Sequence, residues 1–135
     1  MREFVWPVRV YYEDTDAGGV VYYANYLRFL ERARTEWLRT LGFEQDALLR
    51  DTGVVFAVRR VEVDYLRPAR FNDLLAVQAR VAERGRASLV FEQEIRRDGE
   101  VLCRGLVKVA CLDAASFRPA PIPQAVLEVL PNAER

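Results

Sequence analysis

The sequence predicts an α+β domain in which one curved antiparallel sheet wraps a single long helix. Three observations carry that expectation. Over 23–41 the apolar residues Tyr26, Leu27, Leu30, Ala33, Trp37, Leu38 and Leu41 recur at helical spacing. One β-rich segment precedes this stretch and four follow it, over 54–66, 74–83, 87–97 and 100–112. The last two flank Asp98-Gly99, a dipeptide suited to the left-handed angles of a two-residue hairpin turn.

The elements follow in order. Residues 4–12 are rich in Val and Tyr and read as a first strand, with Pro7 marking an edge or a bulge. A polar turn over 13–19 leads toward the long helix. The helix's opposite face carries Arg28, Glu31, Arg32, Glu36 and Arg39, where Arg32 and Glu36 lie four apart as solvated partners. Gly42 is a suitable first residue beyond the helix end. A short helix over 44–50 precedes the main run of strands.

The strand over 54–66 changes phase. Val54, Phe56 and Val58 are apolar at even positions, and Val61, Val63 and Tyr65 at odd ones, so a bulge or bend is expected at Arg59-Arg60. The strand over 100–112 is apolar on both faces, with Val101, Cys103, Val107 and Val109 on one and Leu102, Leu106, Ala110 and Leu112 on the other. Such a strand is buried on both sides, so more than the helix should cover the sheet.

With 135 residues, 51% of them hydrophobic, the chain is the size of one domain with one core, and a single domain over 1–135 is expected. Twenty basic residues balance twenty acidic ones, which leaves no net field to hold a nucleic acid or an anionic membrane. Lys108 is the only lysine; the other basic residues are arginine, the better bidentate partner for phosphate, although genome base composition explains that bias equally well. The first residues have no apolar leader segment, and no run approaches the length of a membrane span. A soluble, cytoplasmic protein is expected, with no stable membrane insertion. Cys103 and Cys111 sit on one strand about 26 Å apart at about 3.3 Å per residue, too far to pair, and two buried thiols fit a reducing compartment.

The chain contains no histidine. Ser-His-Asp and Cys-His catalysis are excluded in their usual forms, and no zinc-type ligand spacing is present. Carboxylates, backbone dipoles and water must carry any hydrolytic chemistry. The turn Asp14-Thr15-Asp16-Ala17-Gly18-Gly19 offers such carboxylates just ahead of the long helix. Acidic residues in a Gly-rich turn commonly serve only to order it. An EF-hand starting at Asp14 fits poorly, because its fifth position is Gly18 and its twelfth is Asn25 instead of Glu. The functional alternative rests on the helix start, whose unpaired N–H groups and positive partial charge can hold the oxyanion formed when a nearby carboxylate promotes attack on a carbonyl.

The segment 14–26, DTDAGGVVYYANY, followed by FLERARTEWL over 29–38, resembles the hotdog-fold acyl-CoA thioesterases of the 4-hydroxybenzoyl-CoA and Tol-Pal-associated types. Further matching residues occur at 63–70, at Asp73 and at 84–89, so that the resemblance spans roughly residues 5–125. It implies a hotdog fold and hydrolysis of an acyl- or aryl-CoA to free acid and CoA, without a cofactor other than the coenzyme A carried by the substrate. It also implies that Asp16 is the catalytic carboxylate, that the Tyr23 backbone N–H polarises the thioester carbonyl, and that Arg84 and Arg86 reach the CoA phosphates. Asp14 inherits no catalytic role. Many Tol-Pal-type members carry His where this chain has Tyr23, so the chain departs from them there and resembles the hydroxybenzoyl type. Whether Asp16 deprotonates water or attacks the carbonyl itself stays open, as does a non-catalytic acyl-CoA-binding or scaffold role. The resemblance further implies a homodimer or a dimer of dimers, with the tetramer favoured.

Overall fold

The computed structural model describes residues 3–130. Strand β1 (Phe4–Arg9) is followed by helices α1 (Asn25–Thr40) and α2 (Gln45–Thr52), strands β2 (Val54–Tyr65), β3 (Leu74–Arg84), β4 (Ser88–Arg97) and β5 (Glu100–Asp113), and a short helix α3 (Gln124–Val129). All pairings are antiparallel, in the order β1-β3-β4-β5-β2. Wrapped around α1, this sheet is the expected hotdog fold.

Local chemistry moves two boundaries. The first strand stops at Arg9, short of the expected residue 12, because Tyr12–Asp14 curls into a 3-10 turn. The Asp14 carboxylate holds that turn by accepting a hydrogen bond from the Tyr11 N–H at 2.8 Å. Helix α1 starts at Asn25 instead of Tyr23. The Tyr22 N–H and the Asn25 side-chain amide both donate to the Asp14 carbonyl, each at 2.9 Å, so the chain ahead of Asn25 is tied to the turn instead of wound into the helix. At the other end Gly42 N–H donates to Arg39 C=O and Phe43 N–H to Leu38 C=O, closing the helix as expected.

Helix α1 buries Tyr26, Phe29, Leu30, Ala33, Trp37 and Leu38. Leu27, expected on that stripe, is 40% exposed, and Phe29 takes the inner position. Arg32 does not pair with Glu36 but lies over the Phe29 ring at 5.9 Å, while Glu36 pairs with Arg39. The N-terminal half of the helix packs with Val8, Val10, Leu75, Val77, Ile95 and Cys103. Its C-terminal half forms a second cluster with Leu89, Phe91, Val107, Cys111 and Val126. Val126 belongs to α3, which the sequence reading did not anticipate. Between helix and sheet the buried Gln93 amide donates to Leu30 C=O at 3.1 Å, and its oxygen accepts from Arg34 Nη1 at 3.0 Å.

The phase change in β2 is a register shift between Val58 and Arg60, which leaves Arg59 as the extra residue. Asp98 and Gly99 have φ of 50° and 81°, as the hairpin requires. On β5, Leu102 and Ala110 of the second face are buried, whereas Leu106 lies partly exposed among Glu62, Arg80 and Glu92. Both cysteines are buried and free, and burial pushes the Cys103 thiol up to about 12, with the Asp64 carboxylate adding to the effect. Among the described residues no helix is long and apolar enough to cross a membrane.

Candidate active site

The turn that carries Asp16 is a small hairpin. Asp16 N–H donates to Val20 C=O at 2.9 Å, and Gly19 N–H donates back to Asp16 C=O at 3.0 Å. Closing it requires Gly19 at φ +80°, where a side chain would be strained. The Asp16 side chain is solvent-exposed, and its Oδ1 accepts a hydrogen bond from Gly18 N–H at 2.8 Å. A Cβ at position 18 would sit 3.2 Å from that oxygen, so the absence of a side chain there lets the carboxylate fold over its own turn.

The turn is fastened to the segment between β2 and β3. Val20 bridges to Arg70, and Val21 N–H donates to Ala69 C=O at 2.8 Å. The Tyr26 hydroxyl on α1 accepts from Ala69 N–H at 3.0 Å. Asp73 anchors that segment, its Oδ2 accepting from Arg70 N–H and from Arg97 Nη1, both at 2.8 Å. Burial alone would raise the Asp73 carboxyl, but the Arg70 N–H and the Arg97 guanidinium together hold it below its ordinary value.

Tyr23 stands two residues ahead of α1, 61% exposed, and its backbone N–H meets no acceptor among the described residues. Its ring tilts against Tyr22 at 4.9 Å and meets Tyr65 edge-on at 6.2 Å. The Tyr22 phenol is held above its ordinary value chiefly by the Tyr23 phenol beside it, with burial and the Asp16 charge adding. The structure thus brings Asp16 and the open Tyr23 N–H to the same end of α1.

Arg84 and Arg86 lie elsewhere. They close the far end of β3, whose near end at Leu74 adjoins the Asp73 anchor, so about 33 Å of strand at about 3.3 Å per residue separates the two ends. There Arg84 Nη2 reaches Leu127 C=O at 3.4 Å, and Arg86 C=O accepts from Ile122 N–H. Within one chain these arginines and Asp16 do not meet. Beside α1, on the β2 side, a cavity of about 210 Å³ is lined by Trp37, Leu38, Phe56, Val58 and Phe91 with Arg34 at its rim. Among the described residues no group of three or more Cys, Asp or Glu side chains converges to hold a metal ion.

Three contributors were not singled out from sequence. Asn25 and Tyr65 act through contacts with Asp14 C=O and Tyr23 C=O, and Arg97 acts through Asp73. No spacing rule reaches across 42 residues from Tyr23 to Tyr65; only the side-chain amide of Asn25, at the foot of a helix, was a visible polar signal.

A five-stranded antiparallel sheet wrapped around α1, with an exposed carboxylate turn just ahead of that helix, is the arrangement of the hotdog thioesterase class. The model of the thioesterase-like superfamily matches residues 10–130, and the chain belongs to that superfamily. It is 50% identical over 123 residues to the acyl-CoA thioesterase YbgC of Haemophilus influenzae, covering 91% of this chain and 90% of that protein. It is 46% identical over 125 residues to the acyl-CoA thioester hydrolase YbgC of Escherichia coli, covering 92% of each. Among solved structures, a probable thioesterase from Bartonella henselae superposes with a TM-score of 0.85 at 34% identity, covering 90% of this chain and all of that one. A 1,4-dihydroxy-2-naphthoyl-CoA thioesterase from Synechocystis shares the fold, with a TM-score of 0.88 at 22% identity over 96% of each chain.

Proposed function

We propose that the chain is an acyl-CoA thioesterase, and that Asp16 drives the reaction at the start of α1. The observation that carries this reading is an exposed carboxylate and, just ahead of the same helix, a Tyr23 N–H that meets no acceptor among the described residues. In one route Asp16 takes a proton from water as its oxygen attacks the thioester carbon. In the other, Asp16 itself attacks and the resulting mixed anhydride is hydrolysed. In both, the carbonyl oxygen gains negative charge facing the Tyr23 N–H, the carbon–sulfur bond breaks, and coenzyme A leaves as its thiolate. No cofactor beyond the CoA of the substrate is needed.

The distance between Asp16 and the Arg84–Arg86 turn favours a site completed by a second copy. β2 is an edge strand with Val58 and Val61 exposed. A two-fold antiparallel pairing about its midpoint brings the Tyr65 end of one copy, beside Tyr23, against the Val54 end of the other. That end lies beside Ser88 through β5, so the second copy's 84–86 turn comes within three or four strand spacings of the first copy's β2, about 14–19 Å at about 4.8 Å each. Arg84 and Arg86 then serve the CoA phosphates of the neighbouring active site. A homodimer is the unit this requires; a dimer of dimers is proposed on family resemblance. The two buried thiols fit a cytoplasmic location.

The test is release of CoA thiol from short-chain, long-chain and aromatic acyl-CoAs by the purified protein. Turnover of at least one class supports the enzyme. Tight acyl-CoA binding without thiol release across all three favours the scaffold alternative.

A further inference from the structure

We infer that Tyr65 is a positioning residue that holds the Tyr23 peptide in the orientation the oxyanion needs. The inference rests on the active-site reading above. Tyr65 is the last residue of the edge strand β2, and its hydroxyl donates to Tyr23 C=O at 3.1 Å. That carbonyl lies outside the first residue of α1, where the chain is leaving the turn and helical bonds do not yet fix it. The Tyr65 ring is braced edge-on by Tyr23 at 6.2 Å and by Tyr26 at 5.4 Å. Tyr26 is itself buried and accepts from Ala69 N–H, so the phenol is mounted on a fixed support.

The consequence follows from how peptide planes turn. The Tyr23 N–H shares a peptide plane with Tyr22 C=O, and the Tyr23 C=O shares the next plane with Ala24 N–H; the two planes meet at the Tyr23 Cα, so anchoring the carbonyl steadies that Cα and limits how far the plane carrying the N–H can swing. The other end of this stretch is pinned by Tyr22 N–H on Asp14 C=O and by Asn25 N–H on Tyr22 C=O. Tyr65 supplies the remaining constraint. It is 46% exposed and its oxygen is already committed to Tyr23, which suits a support more than a group that touches the acyl carbon. The hydrogen bond also joins the chain ahead of α1 to the edge strand β2.

The experiment compares Tyr65→Phe with the parent protein and with Asp16→Asn on the acyl-CoA turned over fastest, recording kcat, KM, melting temperature and assembly state. Phe keeps the ring packing and removes only the donor. The expected result is a fall in kcat of about five- to tenfold with KM within about twofold, and unchanged melting temperature and assembly. An unchanged kcat, or a rise in KM that accounts for the whole loss, overturns the positioning role. A parallel fall in melting temperature and kcat overturns it as well, since a purely structural bond behaves that way. Full activity in Asp16→Asn overturns the site reading and this inference together, whereas inactive Asp16→Asn beside unaltered Tyr65→Phe overturns this inference alone.

Discussion

The Asp16 carboxylate accepts the Gly18 N–H at 2.8 Å, and the missing Cβ of Gly18 is what leaves room for it. One carboxylate oxygen is thereby oriented by its own turn while the side chain stays exposed. Gly18→Ala places a methyl group 3.2 Å from that oxygen and pushes it off its donor. The expected outcome is a kcat reduced about tenfold with little change in melting temperature, because position 18 does not need a left-handed backbone. Gly19→Ala, at φ +80°, should instead lower stability by about 1 kcal/mol or more along with activity. Thermal melts run beside kinetics separate the two.

Part of the acid limb of stability should trace to Asp73, beside Glu94 and Asp113, whose carboxyls are also held below their ordinary values. Its carboxyl titrates lower in the folded chain than in the unfolded one, so its contribution is present above the unfolded value of about 3.9 and is lost as pH falls through the lower folded value. Asp73→Asn should therefore melt below the parent at pH 7, and the gap should narrow below about pH 4. A gap that stays constant from pH 7 to pH 2.5 contradicts the assignment.

Arg84→Ala and Arg86→Ala should raise KM for acyl-CoA by about tenfold at unchanged kcat, with no effect on an acyl-pantetheine lacking the phosphates. Equal losses on both substrates place these arginines in the structure of the turn instead of on the ligand.

A charge on the exposed edge, Val61→Glu, should block pairing of β2 between copies. Light scattering should show a monomer with a normal far-ultraviolet dichroism spectrum, and CoA release should fall to background. An active monomer rules out a site shared between copies.

Much of the fold was legible because its signals are local. The even-to-odd switch in β2 announced the bulge at Arg59, and Asp98-Gly99 announced the last hairpin. The misplaced boundaries come from hydrogen bonds that leave no periodic signal: the Asp14 carboxylate and carbonyl gather Tyr11, Tyr22 and Asn25, which shortens β1 and delays α1. Helix α3 is six residues long, too short to show a period. At the site, Asp16 and Tyr23 stood out through a contiguous motif. Tyr65 and the Asp73–Arg97 pair did not, because their roles exist only once β2 and β4 have folded beside the turn.

The central claim is that Asp16, and not its neighbour Asp14, carries the chemistry. It is tested most directly by kcat/KM for CoA release from the best acyl-CoA in Asp16→Asn and Asp14→Asn. Asn at position 16 still offers an oxygen to Gly18 N–H, so the turn should survive. Folded Asp16→Asn should lose about 10²- to 10⁴-fold. Asp14→Asn should show a smaller loss that follows stability. A folded Asp16→Asn protein with undiminished kcat/KM would contradict that claim.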